Sequence, residues 1–200
     1  MIVNPSGSGN PIIVEEELDG MVRSQSVQKD GKALGKGGIT AVFPGSFDPL
    51  TNGHADILER SLEIFDRIIV GVLHNPSKNH LFSQQERVAL IAKQFLKYAG
   101  RVSVVSFSGL LVEFVASTKS RVIIRGLRAI SDYDYEAQMA LVNRRLAPKI
   151  ETLFLTAREE HSYISSTVVK QVAMLGGDVS DMVPPVIARA LQRKYRESKQ

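Results

Sequence analysis

Five short apolar runs, separated by segments of helical character, leave this chain very few folds to choose from. The runs are residues 39–43, 67–73, 102–107, 121–124 and 152–155. A strand that is apolar on both faces belongs in a parallel sheet covered by helices. Between the runs, apolar residues recur at helical spacing. Ile57, Leu58, Leu62 and Phe65 share one face of 55–65. Val88, Ile91, Phe95 and Leu96 share the buried side of a segment opened by the capping box Ser83-x-x-Glu86. Further helices are predicted over 110–117, over 132–146, from a cap at Ser165 or Ser166 to Leu175, and from Pro184 to Arg196. Pro148 stops the long one, and Gly176 and Gly177 close the next. Such alternation predicts an α/β fold: a single doubly wound, Rossmann-like domain, with a five-stranded parallel sheet, helices on both faces and right-handed crossovers.

Residues 1–38 differ from the rest. Asn4 to Pro11 has linker composition, and 24–38 is polar and rich in Gly and Lys. Gly31 to Lys36 resembles a phosphate loop, but the glycine spacing is one short, and Gly37 stands where Ser or Thr is needed. We read 1–38 as a flexible N-terminal extension and 39–200 as the domain. A second Met at position 21 leaves the start residue open. With no cysteine, disulfides and thiolate metal sites are excluded. No run approaches the roughly 18 apolar residues of a membrane span, and no secretory signal pattern opens the chain. A cytoplasmic protein is expected. The net charge of +4 comes from scattered residues without a block of five like charges. With no Trp to build a stacking platform, a single-stranded RNA reader is disfavoured.

In a doubly wound sheet the loops after the strands face one crevice. After the first run comes Pro44 to His54, with Gly45, Gly53, Ser46, Thr51, Asn52 and His54 leading into a helix. The unpaired N–H groups of a helix start favour an anion, and His54 falls in the first turn. The other loops bring Lys78, Arg125, Arg128, Ser165, Ser166 and Thr167 to the same edge. Three cations, the His54 imidazole and the hydroxyls of Ser46, Ser165, Ser166 and Thr167, with few carboxylates, suit several phosphates. Taken singly, each residue has a plainer reading. Lys78 is a surface lysine, Arg125 pairs with Asp132 or Asp134, and the Ser165–Thr167 run is a helix cap. His74 and His80 are too poorly spaced for a metal, and no metal site is assigned.

Six segments carry a resemblance: Pro44 to Pro49, Thr51 to His54, Pro76 to Lys78, Ile124 to Ala129, Asp134 to Glu136 and Ile164 to Lys170. Together they resemble bacterial phosphopantetheine adenylyltransferase, from about Ile39 to the C-terminus. The T-x-G-H and I-S-S-T motifs alone mark only the wider nucleotidyltransferase superfamily. The resemblance implies transfer of AMP from ATP to 4′-phosphopantetheine, giving dephospho-coenzyme A and pyrophosphate. It implies that His54 stabilises the α-phosphate and that Ser46 binds acceptor phosphate and ATP. Lys78 and Arg125 hold the phosphopantetheine, whose arm Leu111 lines. Phe47, Gly126, Leu127, Arg128, Glu136, His161, Ser162, Tyr163, Ile164, Ser165, Ser166 and Thr167 hold ATP. It further implies Mg²⁺ arriving with ATP, a homohexamer, and coenzyme A as feedback inhibitor, with no nucleic acid or membrane partner. The other reading is a sister nucleotidyltransferase with another acceptor, such as nicotinate mononucleotide. Ser46 stands where the family often has Thr, and the hydroxyl survives. Lys170 stands where the superfamily often has Arg. His161 replaces the Trp of some members and weakens any stacking on adenine.

Overall fold

The structure, a computed structural model, describes residues 38–74 and 79–197. Residues 1–37 of the 1–38 segment read above as an extension, and Lys78, lie outside the described residues. The strands are β1 (Thr40–Gly45), β2 (Arg67–Leu73), β3 (Val102–Phe107), β4 (Val122–Leu127) and β5 (Glu151–Thr156). They form one parallel sheet in the order β3-β2-β1-β4-β5. Helices α1 (Asn52–Ile64), α2 (Gln84–Gln94), α3 (Leu111–Ser117), α4 (Ile130–Leu146) and α5 (Ser166–Met174) connect or follow the strands, and α6 (Pro185–Glu197) comes last. From β1 the chain winds outward through β2 to β3, then builds β4 and β5 on the other side. The expected doubly wound α/β sheet is therefore present. Its winding reverses between β1 and β4, where open sheets leave a ligand crevice.

Side chains alternate across the strands, and both faces are buried. Ala41 and Phe43 of β1 enter a large core with Ile57, Leu58 and Leu62 of α1, Ile91 of α2, Val169 of α5, and Ile187 and Leu191 of α6. Val42 of β1 and Ile123 of β4 enter a smaller core with Val112 and Val115 of α3. Ser83 and Glu86 form the expected capping box, with Glu86 N–H on Ser83 Oγ at 3.1 Å and Ser83 N–H on Glu86 Oε2 at 2.7 Å.

Several sequence boundaries need correction, among them the end of β1 at Gly45 and the start of α4 at Ile130. β4 runs to Leu127, so Arg125, Gly126 and Leu127 lie in the strand and not in the loop after it. Pairing with β5 continues to Leu127 opposite Thr156 and overrides the poor strand propensity of Arg-Gly. Leu96 is 68 % exposed, because α2 ends at Gln94 and a 3-10 turn, Leu96–Tyr98, swings it off the apolar face. A second 3-10 turn, Glu159–His161, precedes α5.

The β5 end of the molecule is thinly covered. The outer strand β5 has no buried residue, and none of the described side chains of the 17-residue helix α4 is buried. Ile130 is 89 % and Leu141 71 % exposed, and Tyr133, Val142 and Leu146 are exposed with them. Among the described residues no helix is long and apolar enough to cross a membrane.

Candidate active site

The turn from β1 into α1 is built around Thr51 and His54. Thr51 is the N-cap of α1, and its Oγ1 accepts the His54 N–H at 3.3 Å. In return, His54 Nδ1 accepts the Thr51 N–H at 3.1 Å. This is a capping box in which imidazole replaces the usual Glu or Gln at the third helical position. The Asn52 side chain donates to Asp181 O at 2.9 Å and ties the helix start to the segment before α6. Phe47 is buried and has φ of 47°, a left-handed conformation uncommon outside glycine. Its ring meets Phe43 and His54 edge-on, with centroids 5.4 and 5.2 Å away. Gly45 makes that fold-back possible: a Cβ there would lie 2.8 Å from Phe47 Cζ.

The hydrogen bonds define the state of His54. A backbone N–H can only donate, so Nδ1 is the bare nitrogen and the hydrogen sits on Nε2. Thr51 Oγ1 lies 2.9 Å from the same Nδ1. Burial, and then the charges of Arg128 and Arg125, push the imidazole pKa down to about 4. At neutral pH His54 is an uncharged donor held by its other nitrogen.

A cavity of about 510 Å³ opens over this turn, between the ends of β1 and β4 and the start of α5. Across the gap, Arg125 Nη1 donates to Pro44 O at 3.0 Å. Its Nε and Nη2 grip both oxygens of Glu136 at 2.7 and 3.0 Å. Arg128 grips Asp132 in the same way, Nε to Oδ2 at 3.0 Å and Nη2 to Oδ1 at 3.2 Å, and its own N–H bonds Oδ2 at 3.1 Å. Burial raises the Asp132 carboxyl, but these bonds outweigh it and hold the pKa below the usual range. The expectation of few carboxylates is thus corrected. Each arginine of the wall is matched by an acid from α4, because one helix supplies both acids to the strand end beside it. Arg125 pairs with Glu136 rather than with Asp132 or Asp134.

Of the residues singled out in the sequence, Phe47, His54, Arg125, Gly126, Arg128, Glu136, Ile164, Ser165, Ser166 and Thr167 line this cavity. Ser165 is the cap of α5, taking the Val168 N–H at 3.1 Å, and Ser166 Oγ donates to Pro49 O at 2.8 Å. Ser46 is half-buried and does not line the cavity, although its neighbours Gly45 and Phe47 do. Leu111 opens α3 and packs on the smaller core. Leu127, His161, Ser162 and Tyr163 lie outside the wall in this arrangement, with Ser162 and Tyr163 exposed. Asp132 and Tyr135 line it and were not assigned from sequence. The Arg128–Asp132 spacing of four, at a helix start, was the available signal.

Asp48 was also missed. It is buried behind the wall and accepts Leu81 N–H and Phe82 N–H, both at 2.9 Å, and Lys170 Nζ at 3.0 Å. Burial raises its carboxyl, but these donors together hold the pKa below the usual carboxylate range. Lys170 of α5 is thereby joined to the β1 loop.

Residues 42–172 match the cytidylyltransferase-like family. Three curated relatives are each called phosphopantetheine adenylyltransferase. The one from Alkaliphilus metalliredigens is 50 % identical over 153 residues, 76 % of this chain and 97 % of the relative. That from Alkalilimnicola ehrlichii is 54 % identical over 159 residues, 78 % of this chain and 91 % of the relative. That from Hahella chejuensis is 49 % identical over 156 residues, 78 % and 96 %. Among solved structures, a nicotinate-nucleotide adenylyltransferase candidate from Vibrio parahaemolyticus is similar in fold. It has a TM-score of 0.55 and 17 % identity, covering 76 % of this chain and 97 % of that one.

Proposed function

Because the chain belongs to the cytidylyltransferase-like family and, within it, to the phosphopantetheine adenylyltransferases, we propose that it transfers AMP from ATP to 4′-phosphopantetheine in coenzyme A biosynthesis. An oxygen of the acceptor phosphate bonds to the α-phosphorus, the bond from that phosphorus to the bridging oxygen breaks, and pyrophosphate leaves. Dephospho-coenzyme A is the product. The nucleophile is already an anion, so no strong base is required. Catalysis rests on positioning and on donors aimed at developing charge.

The observation that carries the mechanism is the neutral His54, held through Nδ1 by Thr51 N–H at 3.1 Å and left with Nε2–H as a donor in the cavity wall. That hydrogen bonds the α-phosphate oxygens as charge grows on them. Arg125, pre-oriented by Glu136, holds the acceptor phosphate together with Ser46 and Lys78, and Leu111 borders the pantetheine arm. Ser46, Phe47, His54, Gly126, Leu127, Arg128, Glu136 and residues 161–167 hold ATP. Both acids of the wall are engaged by arginine. Among the described residues no group of three His, Cys, Asp or Glu could hold a metal. Mg²⁺ would come with ATP, held by the ATP phosphates, and would offset their charge.

The bare outer surfaces of α4 and β5 support a homo-oligomer, the hexamer implied by the resemblance, since apolar patches of this extent are ordinarily covered. Coenzyme A contains the parts of the product and competes for the same cavity as an inhibitor. The site of action is the cytoplasm. Pyrophosphate release from MgATP, with 4′-phosphopantetheine or nicotinate mononucleotide as acceptor, tests the reading. Release with phosphopantetheine alone is expected. Release only with the mononucleotide, or with neither, overturns it.

A further inference from the structure

Arg87 lies in α2 and is 2 % exposed. Burying a cation without a partner acid costs free energy, and among the described residues no carboxylate forms an ion pair with it. Burial accordingly lowers its pKa, only partly offset by the charge of Asp48. Its Nε is buried without a hydrogen-bond partner among the described residues. Its bonds instead come from Nη1, which donates to Ser46 O at 2.6 Å and to Leu73 O at 3.2 Å. Ser46 follows β1 and Leu73 ends β2, so one nitrogen bridges the carboxyl ends of two neighbouring strands. Side chains that serve only packing do not need this arrangement, since an apolar residue fills a core at lower cost.

We propose that Arg87 is a positioning residue for the acceptor, setting the spacing of the β1 and β2 ends on which the acceptor phosphate is received. The inference rests on the proposed acceptor site. Ser46 belongs to it, and in the sequence Lys78 follows Leu73 by five positions. The residues assigned to ATP on β4 and before α5 make no contact with the guanidinium in its hydrogen bonds. Ser46 is assigned to ATP as well, but Arg87 also holds Leu73 at the end of β2, a strand to which no ATP residue is assigned, so the acceptor is the substrate more affected. A displacement of about 1 Å in such a site costs on the order of a hundredfold.

The test is steady-state kinetics with both substrates varied, on the full chain and on Arg87→Met and Arg87→Lys, with thermal melts in parallel. Arg87→Met keeps the volume and removes both bonds. Arg87→Lys keeps the charge on one small head group. We expect KM for phosphopantetheine to rise about tenfold to a hundredfold in Arg87→Met, and less in Arg87→Lys. KM for ATP should stay within about threefold. An unchanged acceptor KM in a folded variant overturns the proposal. So does a loss of turnover that follows the folded fraction with both KM values unchanged. If Arg87→Met does not fold, Arg87→Lys decides by the same criterion. A wild-type chain that releases no pyrophosphate with phosphopantetheine would instead sink the acceptor reading, and this proposal with it.

Discussion

The state of His54 can be measured directly. Its pKa of about 4, against an ordinary 6.5, separates two pictures at mildly acid pH. At pH 5.5 an ordinary imidazole is about 90 % charged, whereas His54 is only about 3 % charged. The same shift is linked to folding. The folded pKa is depressed, so the unfolded chain binds the extra proton first between pH 6.5 and 4. The stabilisation is therefore whole above 6.5 and is lost as pH falls through that window, amounting to about 3 kcal/mol at pH 4. His54→Gln is the suitable comparison, because Gln at this position of a capping box still accepts the Thr51 N–H. Urea unfolding of both chains at pH 7 and pH 4 should show the wild type losing about 3 kcal/mol more than the variant. Titration of the imidazole proton resonances by NMR, with His54→Gln assigning the signal, gives the pKa itself. An inflection near 6.5 in that signal, or equal acid losses in the two chains, would refute the neutral-donor reasoning.

Two further expectations follow from the packing. Asp48→Asn keeps the size but turns a donor towards N–H groups and leaves Lys170 unpaired, at a cost of about 3 kcal/mol in urea unfolding at pH 7. Because the Asp48 pKa is depressed, that difference should shrink as pH falls through and below the ordinary carboxylate range; a difference under about 1 kcal/mol at pH 7 would contradict it. Leu141→Asp changes a side chain that is 71 % exposed, so the melting temperature of a single subunit should hold while the assembly seen by light scattering falls apart. An unchanged mass would rule out an assembly through that face of α4.

Much of the architecture could be read locally. The near-continuous apolar run at 67–73 points to a strand buried on both faces, and the capping signatures at Ser83 and Thr51 act within one helical turn. His54 at the head of α1 follows from T-N-G-H alone, since cap, spacer and imidazole are bonded to each other. Of the residues expected at the loop edge of the sheet, His54, Arg125, Arg128, Ser165, Ser166 and Thr167 line one cavity, because every loop after a parallel strand leaves from the same edge.

Partner choice was different. Arg125 selected Glu136, eleven residues away, over the nearer Asp132 and Asp134, because α4 turns Glu136 towards the end of β4. Arg87 carries no signal in the sequence, yet it is buried and donates to a carbonyl 41 positions earlier. Nothing in the spacing of α2 distinguishes Arg87 from an exposed arginine. The extension of β4 through Gly126 depended on β5 being there to pair with it. Hydrophobic period and helix capping act over a few residues, so the amino-acid sequence alone determined the strands, the helices and the edge where the site lies. Burial and charge pairing depend on what arrives from elsewhere in the chain. Only the assembled sheet could therefore decide which cation is held by which acid, which one is withdrawn into the core, and that His54 stays neutral between them.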